Sequence, residues 1–442
     1  MYLCTECWNE SLKWAGQCQF CKAWWSLKEF NELKDERQKT KWEAKNLKKI
    51  NNIEIDQTKE RIITKSSELN NVLGWWIVPW SLVLLTWEPG IWKSTLSLEI
   101  ANFVENKKII YISWEETEYQ IASRAKRLWI KNDNLLLLSE SNIENILETL
   151  AKNPCDILII DSISVIYSNN ITWVAGSLSQ VRYISELLVS FAKKSNTATF
   201  IIWHINKEWN IAWPKTLEHM VDNVLFFEGD KFENLRILRS LKNRFWDTSE
   251  VGLFKMAENW LKDLKNPGLE FINSNTETIW SSLSITMQGS RAIVLETESL
   301  TTYTKFGYPK RSARWINSSK LDLIIAVLWK YTNVSLDSYD VYLNISRWLK
   351  IDEPWIDLSL AVSIISSKLN KIIPKNTIFI WEISLTWIFK KPVFLEKRIK
   401  EAEKMWFKRI FCPSVNKVAL TPWIEIIELK NIWELIKKLN EI

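Results

Sequence analysis

The stretch Leu84 to Ile100, LLTWEPGIWKSTLSLEI, constrains the fold more than any other part of the chain. Val83-Leu84-Leu85 is an apolar run of strand character, and Lys93-Ser94-Thr95 followed by Leu96, Leu98 and Ile100 starts a helix. Strand, tight loop and Lys-Ser at a helix start is the layout of a P-loop, G-x-x-x-x-G-K-[ST], in which backbone N–H groups cradle phosphates, the Lys reaches the β- and γ-phosphates and the hydroxyl holds Mg²⁺. Trp87, Glu88, Pro89, Gly90, Ile91, Trp92, Lys93, Ser94 and Thr95 are therefore the candidate ATP- and Mg²⁺-binding residues. Trp87 and Trp92 occupy both glycine positions of that pattern. A bulky residue forced into a glycine-only conformation costs about 1–3 kcal/mol, so the loop taken literally binds ATP poorly.

The whole chain shows the same substitution. It carries 28 Trp and only 9 Gly in 442 residues, where about 7% Gly is usual. Trp is poorly suited to turns that need positive φ, yet it stands at turn-like positions such as Trp75-Trp76, Trp209 and Trp213. The pattern is the one expected if UGA codons that the source lineage reads as glycine were written as Trp. A natural Trp-rich protein is the alternative.

Four of the six cysteines form two knuckles, Cys4-x-x-Cys7 and Cys18-x-x-Cys21. In a reducing compartment this spacing points to four thiolates around a structural Zn²⁺ with no open coordination position. Cys155 and Cys412 stand apart from them and are expected to be small core residues. Residues 31–60 are charged and poor in aliphatic side chains, which predicts a solvated linker after a zinc finger over 1–30. With 25% charged residues, a net charge of +6, no long apolar run and no signal-like N-terminus, the chain is expected to be cytoplasmic, with no membrane contact.

From about Arg61 strands and helices alternate, which predicts a mostly parallel sheet flanked by helices. Ile109 to Ile112 is a second buried strand leading into Ser113-Trp114-Glu115-Glu116-Thr117. A carboxylate there can activate water, so Glu115 is the candidate general base and Glu116 the runner-up, with an acidic helix start as the structural alternative. Ile157-Leu158-Ile159-Ile160-Asp161 has the Walker B arrangement of an apolar strand ending in a metal-shell carboxylate. A fourth strand, Ala198 to Ile202, runs toward His204, which either senses the γ-phosphate or is an ordinary surface histidine. Lys242, Arg244 and Phe245 suit single-stranded nucleic acid, although a solvated β-edge has the same composition.

These motifs together resemble the bacterial RadA/Sms family of recombination ATPases along nearly the whole chain. CTECWNESLKWAGQCQFCKAWWSL resembles the family's zinc finger, with Trp14 and Trp24 at family tryptophans and Trp8 at a glycine. NNVLGWWIVPWS resembles the glycine-rich approach to the P-loop, and SWEET the Gly-Glu-Glu segment. WHINK, with His204 and Lys207, resembles the Gly-His-x-x-Lys region, and KNRFW, Lys242 to Trp246, the signature Lys-Asn-Arg-Phe-Gly. Where the family has Gly this chain has Trp87, Trp92, Trp114, Trp203, Trp213 and Trp246.

The resemblance implies a RecA-like P-loop ATPase core over 61–265 and a Lon-protease-like α+β domain over 270–442. It further implies a homo-hexameric ring that acts with a RecA-type recombinase on single-stranded DNA and branched recombination intermediates, driving branch migration with ATP. Lys93 and Ser94 would hold nucleotide and Mg²⁺, Glu115 the attacking water and Asp161 the metal's outer shell. Lys242, Arg244, Phe245, His204 and Lys207 would contact or couple DNA. Pro354-Trp355-Ile356-Asp357 replaces the Pro-Ser-Ala-Gly of active Lon-type proteases, so no peptidase is expected, despite Ser359 and Ser363 nearby. A zinc-containing DNA-binding scaffold with a decayed ATP site is the alternative that literal Trp87 and Trp92 would produce. The zinc knuckles and Lon-like end argue against a replicative-type helicase.

Overall fold

A computed structural model describes residues 2–4, 10–11, 13–19, 22 and 24–29, then 61–442 except 88–92, 131, 172, 204–214, 230–233, 258–259, 265–271, 273–278, 306, 333, 347–350, 352, 387–388, 391, 414–421 and 442. Cys7, Cys21, the linker over 31–60, the phosphate-loop residues Glu88 to Trp92, His204 and Lys207 thus lie outside the described residues. So do the side chains of Lys93 and Ser94, whose backbone is helical. The chain divides into two compact units, Met1–Thr58 and Lys59–Ile442.

In the first unit β1 (Tyr2–Cys4), β2 (Glu10–Ser11) and β3 (Leu27–Glu29) form an antiparallel sheet in the order β2-β1-β3. Cys4, Cys18 and Leu27 are buried in one small cluster, with Tyr2 and Ala15 packed against it. A sheet this small buries little apolar surface, too little to hold a fold without a further cross-link.

The second unit opens with α1 (Ser67–Leu73), whose N-cap Ser66 accepts the Leu69 N–H at 3.0 Å. There follow β4 (Leu82–Trp87), α2 (Lys93–Phe103), β5 (Ile109–Ser113), α3 (Glu118–Arg127), β6 (Leu135–Leu138), α4 (Ile143–Lys152), β7 (Ile157–Asp161), α5 (Leu178–Ser195), β8 (Ala198–Ile202), α6 (Lys215–Met220) and β9 (Asn223–Gly229). The run β10 (Leu235–Asn243), β11 (Val251–Met256) and β12 (Leu261–Asp263) continues with no helix among the described residues. The described strands make one sheet in the order β12-β11-β10-β9-β4-β8-β7-β5-β6, parallel from β9 to β6 and antiparallel from β9 to β12.

Alternate residues of the parallel strands enter two different cores, as a sheet covered on both faces requires. Val83, Leu85, Trp87, Tyr111, Ile159 and Phe200 pack with Leu69, Leu96, Leu98 and Ile121 from α1, α2 and α3. Leu82, Leu84, Ile110, Ile112, Leu158 and Ile160 pack with Ile146, Leu150, Val181, Ile184 and Leu188 from α4 and α5. The four consecutive apolar residues Ile157 to Ile160 are all fully buried, which at about 1.5–3 kcal/mol per side chain makes β7 a strong anchor for the aspartate that follows.

The remaining elements are β13 (Ser281–Gln288), β14 (Arg291–Tyr303), β15 (Arg311–Arg314), α7 (Ser318–Tyr331), β16 (Tyr339–Ile345), α8 (Asp357–Leu369), β17 (Thr377–Phe379), β18 (Glu382–Ile383), β19 (Phe389–Lys390), α9 (Leu395–Lys404), β20 (Arg409–Phe411), β21 (Glu425–Ile427) and α10 (Ile432–Glu441). A mixed sheet runs β15-β16-β14-β13-β17-β20-β21. Its core is continuous with the first sheet: Leu235 and Ile237 of β10, Val251 and Leu253 of β11, and Leu264 belong to the same cluster as Ile293, Leu321, Ile324 and Leu358. The tip of the β13–β14 hairpin docks on β11's approach, where Ser290 N–H donates to Ser249 O at 2.7 Å. Gly289 there has φ +61° and lies so close to the Ser249 carbonyl that a Cβ would overlap it.

Candidate nucleotide site at the strand ends

Ligands of parallel α/β sheets bind beyond the carboxyl ends of the strands. Here register fixes what gathers there. Ser113 pairs with Asp161 across β5 and β7, and Leu85 pairs with Ile202 across β4 and β8. Hence Trp87 and the start of α2, the turn carrying Glu115 and Glu116, Asp161, and the segment leading toward His204 all leave the sheet at the same end.

Asp161 is buried, 7% exposed, and its Oδ2 accepts the Tyr111 hydroxyl at 2.5 Å. Burial pushes its carboxyl up to about 6, an effect that Glu115 and Glu116 reinforce and that the Tyr111 hydrogen bond and Arg124 oppose. The Tyr111 phenol is itself raised well above its ordinary range, by burial first and by the adjacent Asp161 charge second. Behind the phenol, Ser97 Oγ lies 3.1 Å away on α2.

The two acidic candidates separate. Arg124 of α3 grips Glu116 through both guanidinium nitrogens, NH2 reaching Oε1 at 2.7 Å. That hydrogen bond is the main reason the guanidinium is raised further above its usual value. Glu115 instead accepts from Ser162 Oγ at 2.7 Å, the residue after Asp161. Glu115 is thereby held against the end of β7, while Glu116 is committed to α3. Neither begins the helix, whose N-cap is Thr117 in a capping box with Gln120.

The Lys242-to-Trp246 motif begins at the end of β10, where Lys242 and Asn243 pair with β9 on one side while the pairing with β11 stops at Arg239, and it runs on past the strand. Lys242 Nζ donates to the carbonyls of Glu218 and, at 2.9 Å, Val221, capping the C-terminal end of α6. Burial lowers its ammonium pKa, helped by the neighbouring Arg244 charge. Arg244 donates to His219 O at 2.9 Å and to Asp222 Oδ1 at 3.0 Å, while Asp222 Oδ2 accepts the Leu82 N–H at 3.0 Å. Asn243 Oδ1 accepts the N–H groups of Phe245 and Trp246. The motif thus ties α6, which follows 204–214, to the start of β4, and Phe245 is 38% exposed.

The roles of Tyr111, Ser162, Arg124 and Asp222 were not anticipated from the sequence. Tyr111 did carry a signal, a phenol within the otherwise aliphatic run Ile109 to Ile112. Ser162 and Asp222 are ordinary turn residues in the sequence and carried none. In the C-terminal part Ser359 is fully buried, its Oγ 2.7 Å from both Ser282 Oγ and Thr297 Oγ1, and Ser363 Oγ donates to Leu360 O at 2.8 Å. Cys412 is a buried core residue, as expected, whereas Cys155 is only half-buried, packed against its apolar cluster.

Fold and site together define a mixed α/β protein with an acidic centre at the carboxyl ends of a doubly covered parallel sheet. The DNA repair protein RadA of Listeria monocytogenes is 39% identical over 444 residues, covering 99% of this chain and 97% of its own. The DNA repair protein RadA of Campylobacter jejuni is 42% identical over 423 residues, 94% of each chain, and that of Streptococcus pyogenes 38% identical over 446 residues, 99% and 98%. The chain belongs to the RadA family of DNA repair proteins. No family model matches it. A solved RadB recombinase aligns with 45% of the chain at 18% identity and a TM-score of 0.35. Among the described residues no helix is long and apolar enough to cross a membrane.

Proposed function

We propose that the chain is a RecA-like, DNA-dependent ATPase of recombinational repair, a cytoplasmic homo-hexameric ring that works with a RecA-type recombinase and drives branch migration of single-stranded DNA. The observation that carries this reading is the convergence of Asp161, Ser162 and Glu115 at the strand end beside the Lys93–Ser94 helix start, in a chain of the RadA family. The donor set fits the expected cofactors. Asp161 is a carboxylate at the end of β7, beside the helix whose first residues are Lys93 and Ser94, which suits an outer-shell partner of Mg²⁺. Bound ATP-Mg²⁺ would supply the phosphoanhydride and the charge that polarises it. Glu115 would orient and deprotonate the attacking water, Lys93 would bind the β- and γ-phosphates, and Ser162 would hold Glu115 in place. Lys242 and Arg244 would couple DNA bound near 204–214 to the nucleotide through α6.

In the first unit, Cys4 and Cys18 meet in one cluster. Together with Cys7 and Cys21 they would bind a structural Zn²⁺, the cross-link that so small a sheet needs. No group of three or more ligating side chains occurs among the described residues, which hold only two of the four cysteines. The C-terminal part would be a Lon-like scaffold and not a peptidase. Its buried Ser359 and Ser363 hydrogen-bond to neighbouring hydroxyls and a carbonyl, and to no lysine among the described residues.

The test is steady-state ATP hydrolysis with and without single-stranded DNA. Hydrolysis should rise with DNA, and Lys93→Ala and Glu115→Gln should each lower it by at least about 100-fold. A second reading, a zinc-containing DNA-binding scaffold with a decayed ATP site, is favoured by Trp87, whose side chain is buried at the end of β4. DNA binding with no hydrolysis by wild-type protein from native cells would select it.

A further inference from the structure

We propose that Tyr111 is a positioning residue, its phenol tying the metal-shell carboxylate Asp161 to the nucleotide-binding helix α2 through Ser97. The inference rests on the ATPase reading above. Tyr111 sits in β5 among Ile109, Ile110 and Ile112, where any apolar residue would satisfy the strand. A buried phenol must find partners or cost the fold several kcal/mol, so its presence there needs a reason.

The partners supply one. An ionised carboxylate only accepts, so the phenol's single proton goes to Asp161 Oδ2 at 2.5 Å, and Ser97 donates to the phenol oxygen across 3.1 Å. Ser97 lies three residues beyond Ser94, one turn further along the same helix. A three-member chain of hydrogen bonds therefore links α2 to β7, crossing the sheet order at β5. All three residues are buried, Tyr111 at 1%, Ser97 at 0% and Asp161 at 7% exposure. It immobilises one Asp161 oxygen and sets the carboxylate's rotation relative to the helix that would carry the metal-binding hydroxyl. Without the phenol the carboxylate is free to turn, and metal-assisted binding loses its geometry while the phosphate contacts of Lys93 remain.

The experiment measures binding of a non-hydrolysable ATP analogue to the full-length chain, with Mg²⁺ and with EDTA, by nucleotide fluorescence. Tyr111→Phe keeps the ring and removes the hydroxyl. Expected is a loss of about tenfold in the Mg²⁺-dependent gain in affinity, the size of one hydrogen bond to a charged group, with EDTA affinity unchanged within about twofold. An unchanged Mg²⁺-dependent gain overturns the proposal, and so does an equal loss in both conditions, which marks a merely structural tyrosine. Should Tyr111→Phe fail to fold, Ser97→Ala carries the test: about a threefold loss of the same gain supports the chain of hydrogen bonds, and none refutes it. Wild-type protein that binds no nucleotide at all would instead sink the ATPase reading, an outcome distinct from both.

Discussion

Seven described tryptophans have left-handed backbone, Trp25, Trp75, Trp80, Trp129, Trp280, Trp315 and Trp406, with φ from 54° to 84°. Only five other described non-glycine residues share that region, three of them asparagines. Helix ends show why this matters. After α1, Gly74 is left-handed and the Trp75 N–H reaches back to Asn70 O at 2.6 Å, a Schellman closure. After α3 the same pattern recurs with Trp129 in the glycine position, Trp129 N–H to Lys126 O and Ile130 N–H to Ala125 O, both 3.1 Å. After α9 it recurs with Trp406, through Trp406 to Glu403 and Phe407 to Ala402. A left-handed L-residue costs about 1–2 kcal/mol, and Trp129 is 64% exposed, so its indole recovers little by burial. Trp129→Gly should therefore stabilise the chain by about 1 kcal/mol in urea unfolding, and peptide mass spectrometry of protein from native cells should read glycine at 129, 406, 87 and 92. Tryptophan at these positions would refute the codon reading. The anomaly was legible in the sequence because Gly and Trp counts deviate in opposite directions. Which tryptophans take the left-handed conformation was legible only at helix ends and turns such as Trp80 and Trp129, since φ leaves no other mark on a sequence.

Among the elements, those that apolar runs define coincide with the sequence reading. Ile109 to Ile112, Ile157 to Asp161 and Ala198 to Ile202 are strands, because a strand covered on both faces needs no alternation and reads as an unbroken apolar block. Side-chain pairings between elements were not legible, because they join residues far apart in the chain. Asp357 at the start of α8 is one. Its Oδ1 lies 3.0 Å from Lys320 Nζ of α7, and its Oδ2 accepts the Ile383 N–H at 3.4 Å. Burial nevertheless pushes its carboxyl up to about 6, outweighing the ammonium. The folded state thus holds this proton more tightly than the unfolded chain, whose aspartates titrate near 4. Its contribution is complete below about pH 4 and is lost as pH rises through about 6. Urea unfolding of Asp357→Asn and wild type across that window should show the wild type losing on the order of 3 kcal/mol relative to the variant. A constant difference between the two would mean that the Asp357 carboxyl titrates alike in the folded and unfolded chain.

At the scale of the whole molecule, the family resemblance implies an ATPase core over 61–265 and a Lon-like domain over 270–442, and 265–271 lies outside the described residues. Within Lys59–Ile442, however, a single apolar cluster spans β10, β11 and the helices α7 and α8. Apolar positions on β10 and β11 announce that one face is covered; they carry no sign of what covers it. Polar contacts reinforce the junction. The Arg291 guanidinium pairs with the buried Glu68 carboxylate, whose Oε2 also accepts the Leu253 N–H at 2.9 Å. Arg239 pairs with Glu228 and donates to Gln288 Oε1 at 2.7 Å. Removing 265–442 would strip cover from Leu235, Ile237, Val251, Leu253 and Leu264 and leave Glu68 buried without its cation, a loss of about 3–5 kcal/mol for the ion pair alone. That is a large share of a typical domain's stability. The truncated chain ending at Leu264 should therefore be aggregated or partly unfolded by circular dichroism and gel filtration, whereas the full chain should unfold with loss of both sheets in one transition. A soluble, cooperatively folded truncation would show instead that the nine-stranded sheet is self-sufficient and that the shared core is a docking surface between independent domains.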